Sequence, residues 1–226
     1  MTKKEKIIKT AILLVTLAAI IVTGIIFEQK FIRMLPLIFS VFIMLSQSEA
    51  NRYGYLAGGL NSLLYVAVYI SLGLYASAAS AALFSFPIQI LTFLRWRKRS
   101  FESSTVFKKM SNKMRIVLGS AFLGAWIVVF VILRALGSDY AFLDNTSSLL
   151  GIVVSILTML AYIEYSYLWA LSSVLSLLLN IQVAIADTGH ITYVVYSIYC
   201  LYCTVASVIN VQRLYKKQQA DAGKGK

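Results

Sequence analysis

Charge is scarce in this chain, and acid scarcer still. Only 13% of the 226 residues are charged, against about 25% in an ordinary soluble domain, while apolar residues make up 59%. That balance excludes a water-soluble globular domain and identifies a membrane protein. There is one histidine, no pair of carboxylates at helical spacing, no Walker loop and no HExxH motif. No constellation for catalysis remains, so we expect no enzyme, no catalytic residue and no cofactor. Cysteine is as rare: Cys200 and Cys203 lie three residues apart within an apolar stretch. On a helix they share one face and read as inert buried thiols, not as a disulfide framework or a metal site.

What the chain does have is length of apolar sequence. A bilayer core of about 30 Å takes roughly 17 to 25 helical residues to cross. Eight segments qualify, at 7–27, 32–47 (a short one), 54–74, 76–94, 116–136, 144–163, 167–187 and 190–212. Lysines precede the first, but no small-x-small cleavage site follows Ile25-Ile26-Phe27. It is an anchor helix, not a signal peptide. If the segments alternate in direction, eighteen of the 21 basic residues fall on one side, eight of them between Arg95 and Arg115. Lys30, Arg33 and Arg134 fall on the other, near Asp139, Asp144 and Asp187. The positive-inside rule then puts both termini in the cytosol. The formal charge of +12 is therefore mainly topological. Its partner is the bilayer with its anionic headgroups, and no nucleic acid is expected.

An internal repeat organises the segments. YLAGGLNSLLYVAVYISLGLY from Tyr55 resembles YLWALSSVLSLLLNIQVAIAD from Tyr167, and each is the middle helix of three. Each follows a tight cytosolic turn (Glu49 to Tyr53; Glu164 to Ser166) and precedes a helix ending in basic residues (Arg95 to Arg99; Arg213 to Lys217). The chain thus divides into an N-terminal tail and anchor helix (1–31), a first three-helix repeat (32–99), a basic loop with a linker helix (100–143), a second repeat (144–217) and a cytosolic tail (218–226). The single linker helix gives both triplets the same orientation, so the repeats are parallel. The fold class expected is an all-α polytopic membrane protein with an anchor plus a 3+1+3 bundle.

The stretch FSFPIQILTFLRWRKR, residues 84–99, poses the functional question by placing Gln89 in an apolar run. Gln89, Phe93 and Trp96 are spaced i, i+4 and i+7 and share a face, and lipid offers an amide no partner. That face belongs in the bundle interior. Asn61, Tyr65 and Tyr69 share a face of the third segment, Trp169, Ser173, Ser176 and Asn180 one of the seventh, and Tyr199 and Tyr202 one of the eighth. Together they would build a cavity of aromatic walls with a few amides and hydroxyls, suited to a planar heterocycle with a polar or sugar arm. Plainer readings stand beside this one. Intramembrane Ser, Asn and Gln also bond neighbouring helices, and Trp96 and Trp169 sit where an aromatic belt is the default. Gly58 and Gly59 fit close helix packing, His190 an outer turn, and Pro87 a kink. Asp144 or Asn145 fits a helix cap better than the Asn145-Thr146-Ser147 triplet fits glycosylation.

The order and spacing of N61-x3-Y65, LYAS at 74–77, Q89-x3-F93-x2-W96, FLD at 142–144 and W169-x3-S173 resemble the PnuC-type nicotinamide riboside transporters over residues 34–215. That resemblance implies a SWEET-like fold, a small vitamin or nucleoside substrate, a bacterial inner-membrane location and a homo-oligomer, a trimer with one pathway per protomer. Two features depart from the family pattern. Ser173 replaces an asparagine, and Tyr202, Cys203 and Ser207 stand where an asparagine and a Gly-x3-Trp pattern are expected. Nicotinamide riboside is the first expectation; riboflavin, thiamine or another nucleoside is the alternative, and a SWEET-like sugar or solute carrier the next. A membrane-embedded assembly or sensor protein would need an effector domain, for which the tails are too short. No acid falls at mid-membrane, and ion-coupled carriers usually hold an ionisable group there. We therefore expect facilitated diffusion, with a cytosolic kinase trapping the substrate. Sodium held by carbonyls and hydroxyls such as Ser147, Ser148 or Thr158 is the exception to that reasoning.

Overall fold

In lipid a backbone has to satisfy its own hydrogen-bonding groups, and a long apolar stretch does so as a helix. The computed structural model describes residues 3–29, 31–71, 81–135, 141–186, 188 and 191–224. Lys30, LYAS at 74–77, Asp139, Asp187, His190 and Lys226 lie outside the described residues, as do the side chains of Arg33 and Tyr69. Among the described residues there are eight α-helices: α1 Lys3–Ile26, α2 Phe31–Ser48, α3 Arg52–Ser71, α4 Phe86–Lys98, α5 Asn112–Ala135, α6 Ala141–Met159, α7 Glu164–Ala186 and α8 Ile191–Lys224. Seven of the eight expected apolar segments coincide with one of them; the fourth, 76–94, is met only by a π-helical turn, Ala81–Ser85, and the first part of α4, and its residues 76–80 lie outside the described ones. Five helices (α1, α5, α6, α7 and α8) are long and apolar enough by themselves to cross a membrane, and α2 is a shorter apolar helix.

The packing is ordered. α3 lies against α2 and α4, and α7 lies against α6 and α8. The two groups meet along two seams, α2 on α8 and α4 on α6. α1 packs on both α2 and α8, and α5 packs on α6. None of the residues of α5 is buried. Its exposed Ile116, Val117, Leu123, Ile127 and Val128 present the apolar surface that lipid requires.

Sharp turns join α2 to α3 and α6 to α7. Ala50 N–H donates to the Gln47 carbonyl at 2.9 Å and Asn51 N–H to that of Ser46 at 3.1 Å. In the second turn Ala161 N–H donates to Thr158 at 2.9 Å and Tyr162 N–H to Leu157 at 3.0 Å. These are Schellman caps, with Ala50 and Ala161 at φ 53° and 59°. A similar cap closes α1 at Glu28.

Both ends of the chain reach the face that holds the basic loop. Lys9 Nζ donates to Glu49 Oε1 at 2.7 Å, and Gln218 is buried against the loop between α4 and α5. That loop begins as an antiparallel pair, β1 Ser100–Phe101 with β2 Ser104–Thr105. Residues 218–224, expected as a tail, instead continue α8, whose 34 residues span about 51 Å. Such a helix exceeds the bilayer core by several turns. On its exposed extension Lys217 pairs with Glu102, which raises the pKa of the ammonium by hydrogen bonding and charge.

Pro87 does not kink the middle of a helix. It stands in the first turn of α4, where a missing N–H costs least, and the irregularity lies before it as a π-helical turn, Ala81–Ser85.

Candidate functional site

Along the α4–α6 seam runs a cavity of about 680 Å³. α4 contributes Ile88, Gln89 and Thr92, and α6 contributes Ser148, Gly151, Ser155 and Thr158. Met44 and Gln47 of α2, Tyr55 of α3 and Trp169 of α7 also line it. Among the described residues no Lys, Arg, His, Asp or Glu lines it. The other seam is filled. Ile20 of α1, Leu37, Val41 and Met44 of α2, and Tyr199 and Cys203 of α8 form one apolar cluster.

Gln89 has the partners its apolar setting demands. Gln47 Nε2 donates to Gln89 Oε1 at 3.1 Å and to the Gly54 carbonyl at 3.2 Å. Gln89 Nε2 donates in turn to Ser62 Oγ at 3.3 Å, and Ser62 Oγ donates to the Gly58 carbonyl at 3.0 Å. The chain of bonds fixes which end of each amide is which. It also explains Gly58, because a Cβ there would stand 2.0 Å from Gln89 Oε1 and 2.9 Å from Gln47 Nε2. At Gly59 a Cβ would lie 2.8 Å from Ile90 Cδ1. Both glycines serve close approach of helices.

Four hydroxyls of the wall, those of Thr92, Ser148, Ser155 and Thr158, have a shared polarity. Thr92 Oγ1 donates to Ile88 O, Ser155 Oγ to Gly151 O and Thr158 Oγ1 to Val154 O, each one turn back at 2.7 or 2.8 Å. Ser148 Oγ donates to Asp144 Oδ1 at 3.4 Å. A hydroxyl whose proton is spent on its own helix offers only acceptor lone pairs to anything else. The cavity is therefore uncharged yet rich in acceptors. It favours ligands that bring donors or diffuse positive charge.

Of the residues expected to form the site, Gln89 and Trp169 line the cavity. Trp169 is half-buried and packs between the aromatic cluster around Trp96 and the α1–α2–α8 cluster. The others stand elsewhere. Trp96 is fully buried, outside both the cavity wall and any lipid-facing belt. Its Nε1 donates to the Thr158 carbonyl at 2.8 Å, and Tyr55, Phe107 and Tyr165 surround its ring. Phe93 packs against that cluster and lies 5.8 Å, centroid to centroid, from Tyr53. Asn61 is buried and ties α3 to α2, its Nδ2 donating to Pro36 O at 3.1 Å and Ser40 Oγ at 2.9 Å. Tyr65 OH lies 3.5 Å from the same Ser40 hydroxyl. Ser173 is buried within α7, so Asn61 and Ser173 do not converge on this cavity. Ser176 bonds Ser147 at 2.6 Å, and Asn180 Nδ2 donates to Ser197 Oγ at 2.7 Å. Tyr199 OH donates to Val41 O at 2.9 Å, and the Tyr202 ring lies 6.4 Å away. These polar groups join helices, as intramembrane hydroxyls and amides commonly do.

The position of Trp96 has a measurable consequence. Trp96→Ala should lower stability by about 3–5 kcal/mol, the cost of emptying a closed site. Trp96→Phe should cost only about 1 kcal/mol, because Thr158 O keeps the Ala161 N–H. Thermal unfolding of the purified variants in mild detergent measures both.

On α6, Ser148 and Thr158 are expected from sequence only as possible sodium ligands, whereas the structure places them in the cavity wall. Ser148, Gly151, Ser155 and Thr158 are spaced three, four and three apart, a stripe of small and hydroxylic residues on one helical face. Met44 and Gln47 stand six and three residues before Ala50, as Ser155 and Thr158 stand before Ala161. The two turns thus place equivalent positions on facing walls.

Largely apolar helices, five of them long enough to cross a membrane, thus enclose a cavity with a few oriented polar groups, an arrangement that suits a membrane transporter. A family profile described as nicotinamide mononucleotide transporter matches residues 30–209, and the chain belongs to that family. A solved structure described as the vitamin B3 transporter PnuC is 21% identical, with a TM-score of 0.74 over 93% of this chain and 92% of that one. The fold is shared across nearly the whole length. No curated protein matches the chain.

Proposed function

We propose that this chain carries a small water-soluble vitamin or nucleoside across the membrane by facilitated diffusion, with nicotinamide riboside the foremost substrate. The observation that carries the reading is the cavity, about 680 Å³, free of charge and walled by Trp169, the Gln47–Gln89 amide pair and acceptor hydroxyls. Its volume falls in the range of about 300–1,000 Å³ typical of small-ligand sites. The ribose hydroxyls and carboxamide NH2 of a nicotinamide nucleoside are donors, and its cationic ring suits an aromatic face. A mononucleotide would bring a phosphate that no basic side chain among the described residues of the wall neutralises, so the unphosphorylated nucleoside is preferred. Ser173 in place of asparagine keeps riboflavin, thiamine and other nucleosides as the runners-up.

The two seams support a SWEET-like repeat. If α2, α3 and α4 correspond to α6, α7 and α8, a contact of α2 with α8 requires one of α6 with α4, and both exist. We place both termini and the basic loop in the cytosol of a bacterial cell, in line with the positive-inside rule. Labelling that put Lys109 outside the cell would overturn that orientation. The homotrimer rests on family resemblance alone, and light scattering in mild detergent tests it.

Calorimetry with nicotinamide riboside, its mononucleotide, thiamine and riboflavin should give heat with the riboside and none with the mononucleotide. No heat with any of them would sink the vitamin reading. In liposomes the protein should equilibrate substrate without concentrating it, so that net uptake by a cell depends on a cytosolic kinase. Accumulation driven by an imposed proton or sodium gradient would mean that the wall binds the ion.

A further inference from the structure

The segment that runs from the β1–β2 turn to the start of α5 is bonded to both groups of helices. Ser103 O accepts from Arg52 N–H at 3.0 Å, at the α2–α3 turn. Lys108 exchanges two 3.0 Å backbone bonds with Ala161 and Ile163, at the α6–α7 turn. Between these points Phe107 is buried, its ring edge-on to Trp96 at 5.5 Å and stacked on Tyr165 at 6.3 Å. Trp96 in turn lies edge-on to Tyr55, at 4.8 Å, and bonds Thr158. Tyr55 and Thr158 belong to the cavity wall. Phe107 thus covers the aromatic cluster that closes the cavity toward the basic face. Val106 N–H donates to Arg99 O at 2.9 Å just before it, Glu164 Oε1 accepts from Met110 N–H at 3.1 Å just after it, and one side chain grips Phe107 itself. Gln218 Oε1 accepts from Phe107 N–H at 2.9 Å while Gln218 Nε2 donates to Thr105 O at 2.8 Å. Gln218 is buried on an otherwise exposed helical extension, nine residues beyond the segment that the family profile matches.

We propose that residues 103–110 form the gate of the carrier at its basic face, and that Gln218 is the positioning residue that keeps this gate shut by gripping Phe107 and Thr105. The inference rests on the carrier reading for its meaning, but not for its test, because accessibility of the cavity can be read without any substrate. Bonds to both turns give the segment two anchors that move apart whenever the two helix groups do. Gln218, on α8, loads the balance toward closure.

The test uses the full chain with Cys200 and Cys203 replaced by alanine and Ser155→Cys as reporter in the cavity. A membrane-impermeant thiol reagent is applied to each face of oriented vesicles. Gln218→Ala should raise the labelling rate from the basic face about tenfold, a shift in the population of open molecules, and leave labelling from the far face unchanged. Lys217→Ala, which removes the exposed pair with Glu102, should leave both rates unchanged. Equal rates in Gln218→Ala and the parent, or an equal rise in Lys217→Ala, would overturn the assignment. If Gln218→Ala does not purify as a folded protein, Phe107→Leu is read instead. It should raise labelling from the basic face in the same way, and a parental rate would overturn the gate. A normal labelling response in a protein that binds no vitamin or nucleoside would refute the substrate reading and leave the gate intact.

Discussion

Replacing Trp169 by alanine should weaken nicotinamide riboside binding about tenfold or more. A stacked aromatic contributes on the order of 1–3 kcal/mol per planar ring, and 1.4 kcal/mol is a factor of ten. Among the described residues the other rings of the wall, Tyr55 and Phe84, offer less. Tyr55 is already engaged edge-on with Trp96, and Phe84 is 41% exposed. Trp169→Phe should recover most of the affinity, because it keeps a flat face. The truncation also removes packing from two clusters. Since Trp169 is only half-buried, the loss of stability should stay below the roughly 3–5 kcal/mol of a fully buried tryptophan. Calorimetry gives the affinity, and fluorescence gives an independent reading. Of the three tryptophans, Trp96, Trp126 and Trp169, only the last lines the cavity. Substrate-dependent quenching should vanish in Trp169→Phe and persist in Trp126→Phe. An unchanged dissociation constant in Trp169→Ala would remove this residue from the site.

Gly58→Ala should abolish measurable transport while leaving a folded protein. Alanine within a helix is about 1 kcal/mol better than glycine by propensity, so a purely local account predicts a mild gain. The neighbours decide otherwise. A Cβ at 2.0 Å from Gln89 Oε1 cannot be accommodated where the amide stands. Overpacking of this kind costs about 1–3 kcal/mol, and here the cheapest relief is rotation of the Gln89 side chain. That rotation breaks the bonds to Gln47 and Ser62 and swings the amide out of register with the wall. Gln89→Ala in the Gly58→Ala background should restore stability but not affinity. Thermal unfolding and binding, measured on the single and double variants, separate the two effects. Full transport by Gly58→Ala would show that the amide pair has no part in recognition.

The helices and the first sharp turn could be read along the chain because membrane helices are specified locally; the second turn, expected at Glu164 to Ser166, lies just before them around Ala161, and those residues open α7. Each apolar run must close its own backbone bonds, so 54–74 or 116–136 needs no knowledge of its neighbours to become helical. The same logic told that Gln89 needs a partner, without telling which. Two things escaped. One was the continuation of α8 through Gln218, whose polar composition reads as a tail until Thr105 and Phe107 supply a buried partner for its amide. The other was the share of polar residues that line the cavity. Asn61, Ser176, Asn180 and Gln89 look alike in sequence, each being polar on an otherwise apolar face.

The sequence alone determined an all-α membrane protein and a transporter family, because composition, hydropathic length and short motifs are properties of one stretch at a time. Only the tertiary structure decided where the cavity lies. The two seams are related in kind but not in filling. α1 inserts Ile20 beside Leu37, Val41 and Tyr199 and closes the α2–α8 seam, while the small faces of Ser148, Gly151 and Ser155 leave the α4–α6 seam open. Whether an amide or hydroxyl binds a ligand or a neighbouring helix depends on which of those seams it faces. That is set by packing between segments more than a hundred residues apart, such as Tyr199 on Val41, and no local pattern encodes it.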